Sequence, residues 1–256
     1  MSQLTPDRYY GGIAQATSEF ADLIPDTDPA RPVPTCPEWT FADLVAHLGR
    51  GHRWIAAMVE RRTPQQLPVE AVDDRTPPED PAKQAGWIRD GAMLAVRALQ
   101  EAGPDAPMWT FTPDRRAGFW LRRLAHETSA HGVDAALTAG KRVSLPADLS
   151  ADGVSEVLDL LTYLVGSGRG ELRGNGESLH FHSTDGWLGR DGEWFVRRTP
   201  DGIEWEHGHG KADVAVRGNA ADLYLLLSRR APRDSGAVEV LGERAVLDHW
   251  LDNSAF

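Results

Sequence analysis

Trp120-Leu-Arg-Arg-Leu124-Ala-His126-Glu127-Thr-Ser-Ala130-His131-Gly-Val-Asp134 is the stretch on which the reading of this chain turns. Its apolar residues recur at helical spacing. Glu127 and His131, four apart, stand one above the other on the face that also carries Trp120 and Leu124. That face points into a helical bundle rather than to water. A carboxylate and an imidazole turned inward need a partner, because an unpaired buried charge is costly. One divalent cation satisfies both. Spacing alone leaves a second reading equally open, an exposed Glu–His pair worth roughly a few tenths of a kcal/mol. The string is not a zincin helix, which needs two histidines four apart with the glutamate between them. Position 130 is alanine, and His126 and His131 lie five apart, roughly 140° around a helix. His126 is expected beside the site or at the surface.

Working outward, three more helices precede this one, separated by proline-rich joints. Thr5-Pro6-Asp7 supplies an N-cap, a first-turn proline and an early acid, and Tyr9, Ile13, Phe20 and Leu23 follow at helical spacing. The prolines between 25 and 37 cannot continue that helix. Thr40-Phe-Ala-Asp43 reads as a capping box that opens a second helix to about Arg62. Asp80-Pro81 opens a third, ending near Gly103, and Thr112-Pro113-Asp114 is expected to begin the fourth. On the second helix, His47 and His52 lie on opposite shoulders of the stripe Phe41, Leu44, Val45, Leu48 and Ile55. Gly51 is expected to leave room for an approach near His47. Periodicity does not choose between the two histidines as a third ligand.

After Lys141 the pattern changes. A helix over Gly153–Val165 is followed by short runs between glycine turns: Ser178–Ser183, Trp194–Arg198, Ile203–Glu206, Asp213–Arg217 and Val238–Leu241. A helix capped by Asn219 and another over Glu243–Leu251 complete this half. The fold read from the sequence has two domains, a four-helix bundle over residues 1–142 and a smaller α+β domain with a mainly antiparallel sheet over 143–256. His180 and His182 are two apart on a strand, yet no carboxylate partner is evident. With His207 and His209, expected in a mobile loop, they read as surface residues.

Composition narrows the function. The 256 residues carry 27 Lys+Arg against 38 Asp+Glu, a net charge of −11, which argues against a nucleic-acid groove or an anionic-membrane surface. No stretch approaches the ~20 apolar residues of a membrane span, and Met1-Ser-Gln-Leu-Thr-Pro6 resembles no export signal, so a cytoplasmic protein is expected. The single Cys36 rules out an internal disulfide framework or a cysteine-based zinc site within one chain, and reads as a buried small residue rather than a nucleophile.

Two segments of the bundle, Val33-Pro-Thr-Cys-Pro-Glu-Trp39-Thr-Phe-Ala-Asp-Leu-Val-Ala-His47-Leu-Gly and Arg123-Leu-Ala-His-Glu127-Thr-Ser-Ala-His131-Gly-Val-Asp134-Ala, resemble the mycothiol-dependent maleylpyruvate isomerase family of the DinB-like metalloprotein superfamily. More loosely, Leu179-His-Phe-His-Ser-Thr-Asp185-Gly186, Asp222-Leu-Tyr-Leu-Leu-Leu-Ser-Arg229 and Val238-Glu-Val-Leu-Gly242 resemble its second domain. The resemblance implies an up-down-down-up DinB-like bundle with a divalent metal, zinc first and nickel or iron as alternatives, on His47, Glu127 and His131. Three protein ligands leave a coordination position open, the mark of a catalytic site. It also implies mycothiol as cofactor, its thiol activated as thiolate to add to a small electrophile. Isomerisation follows if the adduct rotates and eliminates, and S-transfer if it leaves. Arg229 matches a family position where a catalytic arginine is expected, although Leu227-Ser228 stands where the family often has Trp-Gly. Trp39, Arg50 and Arg230 are candidates for binding substrate or thiol. A solvated helix end is the plain alternative for both terminal arginines.

Three functions follow from this reading: a mycothiol-using isomerase or S-transferase, a non-catalytic metal- or small-molecule-binding member, and, third, a metal-dependent hydrolase, for which Glu127 is already spent as a ligand. The expected partners are a small electrophile and the thiol, with no nucleic acid, no membrane and a monomeric chain.

Overall fold

The computed structural model describes residues 4–142 and 144–254. It divides into one unit that begins at Leu4 and a second that begins at Ser144. Val143, where the second domain is expected to begin, and the Met1-Ser-Gln start lie outside the described residues.

The first unit is built on α1 (Pro6–Leu23), α2 (Phe41–Arg61), α3 (Pro81–Ala102) and α4 (Ala117–Thr138). Local chemistry sets their ends. Thr5 accepts from the Arg8 amide, and Asp80 accepts from the Ala82 amide ahead of a first-turn proline. The Thr40–Asp43 capping box is present in both halves. Arg62 closes α2 in the left-handed conformation (φ 45°), and Gly103 (φ 77°) stops α3. α4 begins later than Thr112-Pro113-Asp114 suggests. Those residues form a turn, in which the Thr110 hydroxyl donates to the Asp114 carbonyl at 2.7 Å. The Asp114 carboxylate pairs with Arg116 instead of capping the helix.

α1 packs on α3 and α4, and α2 packs on α3 and α4. Phe20, Phe41, Leu44, Leu48, Trp87 and Ile88 form part of the shared core. The glycine that permits close approach is Gly49 rather than Gly51. A Cβ on Gly49 would sit 2.0 Å from the Trp87 ring, whereas one on Gly51 would meet nothing within 4 Å. Trp87 in turn lies under the buried Arg53 guanidinium, 4.3 Å from the ring centroid, and Arg53 is held by Asp74 at 2.9 Å. Within the proline-rich joint the chain pairs β1 (Pro32–Val33) with β2 (Cys36–Thr40). This two-stranded ribbon packs on α4 and positions Trp39.

The second unit carries α5 (Ala147–Gly166) and a five-stranded sheet in the order β5-β4-β3-β6-β7, made from β3 (Ser178–Ser183), β4 (Glu193–Thr199), β5 (Gly202–His207), β6 (Val214–Gly218) and β7 (Glu239–Gly242). It also holds α6 (Ala220–Leu227) and α7 (Arg244–Asn253). Every pairing is antiparallel except β3–β6. α5 starts six residues ahead of Gly153. Its first turns, Ala147-Asp-Leu-Ser-Ala-Asp, are too polar to show an apolar stripe. Leu179 and Phe181 of β3, Trp194 and Val196 of β4, and Val214 and Val216 of β6 are buried with Val154, Leu158, Leu223 and Trp250 of the helices. A one-residue slip of β3 would carry both of its core side chains out, at roughly 1.5–3 kcal/mol each. The register is therefore fixed, and so is the face on which His180 and His182 stand. No helix among the described residues is long and apolar enough to cross a membrane.

Candidate metal centre

Helix periodicity puts Glu127 and His131 one turn apart on α4, and the packing of α2 against α4 brings His47 to them. Glu127 Oε1 is 3.0 Å from His131 Nε2 and 3.3 Å from His47 Nε2. The three donor atoms lie within 4.8 Å of one another. Bonds of about 2.0–2.1 Å arranged tetrahedrally give an edge of roughly 3.3 Å between ligand atoms. The two separations to Glu127 therefore fit a single ion, and two imidazoles with one carboxylate are a donor set for zinc, nickel or iron.

Two of the three donors, His131 and Glu127, are held from behind. Asp134, fully buried, accepts from His131 Nδ1 at 2.9 Å and from the Thr35 hydroxyl of the β1–β2 turn at 2.5 Å. With its proton on Nδ1, the His131 ring directs Nε2 toward Glu127 and His47. Arg123, one turn before Glu127, donates to its other carboxylate oxygen at 2.9 Å. Burial opposes ionisation of Glu127. The Arg123 guanidinium and the hydrogen bonds from His131 and His47 outweigh it and hold the carboxyl well below its usual range. For His131, burial likewise disfavours charge, but hydrogen bonds to Asp134 and Glu127 raise it above its ordinary value. Trp39 lies over both imidazoles, its ring centroid 4.7 Å from His47 and 6.1 Å from His131.

The other sequence candidates fall elsewhere. His52 is buried on the far shoulder of α2, its Nε2 3.0 Å from the Thr128 hydroxyl. His126 is not at the surface but buried, edge-on to Tyr9 at 6.2 Å. Arg50 is exposed, with its Nε 3.5 Å from the Arg75 carbonyl. Arg229 and Arg230 belong to the second unit. Arg229 ends α6 in the left-handed region (φ 64°), and Arg230 donates to the Ser228 carbonyl at 2.9 Å. Cys36, on β2, packs against the bundle core. His180 and His182 do have a carboxylate, Glu193 of β4, and His180 is buried. His207 is not in a loop: it ends β5, and its Nδ1 donates to the Glu193 carbonyl.

Sequence reasoning assigned no role to Arg123 or Asp134. Their signal was present, since an arginine four before a helical glutamate and an aspartate three after a helical histidine both share its face. Thr35 gave none.

Residues 11–136 match a family model described as the mycothiol maleylpyruvate isomerase N-terminal domain, and residues 148–249 match one described as the MDMPI C-terminal domain. Among solved structures, the mycothiol-dependent maleylpyruvate isomerase and a mutant of it each superpose with a TM-score of 0.61 at 17% identity, over 94% of this chain and 95% of theirs. At that identity the likeness is one of fold. No curated protein matches the chain.

Proposed function

The chain belongs to the mycothiol maleylpyruvate isomerase family, and from that premise we propose that it is an enzyme that uses mycothiol to isomerise or S-conjugate a small electrophile, with a divalent cation, zinc foremost, on His47, Glu127 and His131. The observation that carries this reading is the convergence of two imidazole nitrogens and one carboxylate oxygen at separations of 3.0 and 3.3 Å. When bound there, such an ion favours thiolate over thiol at neutral pH.

The chain's own residues prepare that chemistry. Asp134 keeps a proton on Nδ1 of His131, so that Nε2 is the nitrogen offered. Arg123 occupies one oxygen of Glu127 and leaves the other as the donor. Trp39 places an apolar ring against both imidazoles and limits the directions from which a ligand reaches them. We assign Trp39 and Arg50, which belong to the same unit as the metal centre, to the binding of thiol or electrophile. A protein of net charge −11 needs such a local cation to hold an acidic ligand.

Metal analysis of the purified chain and of His47→Ala, followed by a mycothiol-conjugation and isomerisation assay with maleylpyruvate and related electrophiles, tests the proposal. The expected result is metal in the wild type, less in the variant, and thiol-dependent turnover that falls with it. Metal without turnover supports a non-catalytic binding protein, and no metal in fresh wild-type protein overturns the reading.

A further inference from the structure

The sheet of the second unit holds another meeting of imidazoles and a carboxylate, which the proposed function does not use. Because Leu179 and Phe181 face the core, His180 and His182 stand together on the opposite face of β3. Glu193 pairs directly with His182 in the β3–β4 ladder and so shares that face. β5 ends at His207, and the loop beyond it carries His209 back to the same carboxylate. Gly210 lets this loop lie against the sheet, since a Cβ there would come 2.7 Å from the Phe195 ring. Glu193 Oε2 is 3.1 Å from His180 Nε2, 3.5 Å from His182 Nδ1 and 2.8 Å from His209 Nδ1. The four donor atoms all lie within 4.8 Å of one another.

The three rings crowd around this one carboxylate, their centroids 4.9, 5.8 and 6.2 Å apart. They present three nitrogen donors to one point beside a carboxylate oxygen. That is a donor set for a borderline transition ion rather than for calcium or magnesium, which take oxygen ligands.

We infer that His180, His182, Glu193 and His209 form a second divalent transition-metal site, which takes zinc-class ions through three imidazoles and one carboxylate. Four protein donors complete a tetrahedron, so the site is a clasp rather than a reaction centre. It joins β3 and β4 to the loop after β5, and that loop borders an open depression of about 600 Å³ lined by Arg190, Glu206 and Lys211.

The test uses the full chain carrying His47→Ala, stripped with chelator and titrated with Zn²⁺ by calorimetry, beside the same chain with Glu193→Gln or His209→Ala added. The His209 side chain is 76% exposed, so its removal leaves the fold intact, which circular dichroism verifies. The expected result is one more equivalent of bound ion in the His47→Ala chain than in either double variant. With Co²⁺ in place of Zn²⁺, the visible absorption of a four-coordinate ion is expected in the first and lost in the others. Equal stoichiometry in all three overturns the inference. Because all three lack His47, this outcome is independent of whether the helical bundle binds metal.

Discussion

In the bundle, Glu127 and His131 meet because one helical turn separates them, and a neighbouring helix supplies His47. In the sheet, His180 and His182 meet because alternate strand residues share a face, and Glu193 joins them because the β3–β4 ladder sets it opposite His182. The two clusters use the same side-chain types but differ in what stands behind the donors. Behind the helical donors are a buried aspartate, a threonine and an arginine. In the sheet a single carboxylate oxygen serves three imidazoles, one of them largely in water. Helical donors held from behind suit a site that must keep its geometry when ligands change. A loop imidazole that swings onto a sheet suits a fastening.

The largest expected effect is at the bundle's carboxylate. Glu127→Ala is expected to lose the bundle ion altogether, beyond the roughly 100-fold that loss of a supporting hydrogen bond costs. The far-UV circular dichroism should be unchanged, since the core rests on Phe41, Leu48 and Ile88 rather than on an ion. Unfolding of that variant would make the bundle site a fastening as well and erase the contrast.

Acid is expected to act next most strongly, through His52 of the bundle. Burial pushes His52 down to about 4. Between pH 6.5 and pH 4 the unfolded chain therefore binds a proton that the folded chain refuses. The stability from keeping this ring neutral is full above pH 6.5 and is lost as pH falls to about 4, a change on the order of 3 kcal/mol. Urea unfolding at pH 7 and pH 4, compared between wild type and His52→Gln, isolates that contribution; equal pH dependence in the two would contradict it.

A smaller effect is expected behind His131. Asp134→Asn should weaken metal binding by about 10–100-fold while leaving one ion's worth of ligands in place. Calorimetry with Zn²⁺ reads this directly, and an unchanged affinity would mean that the aspartate only secures the β1–β2 turn. The smallest effect belongs to the sheet. In metal-free protein, His209→Ala should alter the unfolding free energy by no more than about 0.5 kcal/mol, because an exposed loop side chain contributes little without an ion. A larger loss in urea titration would show that the loop is held by its own hydrogen bonds.

This contrast also explains what could be read from the sequence. The caps at Thr5, Thr40 and Asp80 and the apolar spacing of the four helices were visible because both depend on neighbours within one turn. Glu127 and His131 were visible for the same reason, whereas periodicity left His47 and His52 equivalent. Only packing separates them, His47 toward α4's carboxylate and His52 toward Thr128. The β1–β2 ribbon stayed hidden among prolines, which lack the donors that mark a strand. Glu193 went unrecognised beside His180 and His182 because it is more than ten residues away, and only strand register brings it across.

Trp39 sits against two imidazoles that would ligate the bundle ion, and a nearby open-shell ion such as Ni²⁺ or Co²⁺ quenches indole emission, whereas filled-shell Zn²⁺ does not. The protein therefore contains its own optical gauge. The fluorescence difference between wild type and Trp39→Phe, among nine tryptophans in the chain, gives a label-free titration of an open-shell ion entering the bundle site.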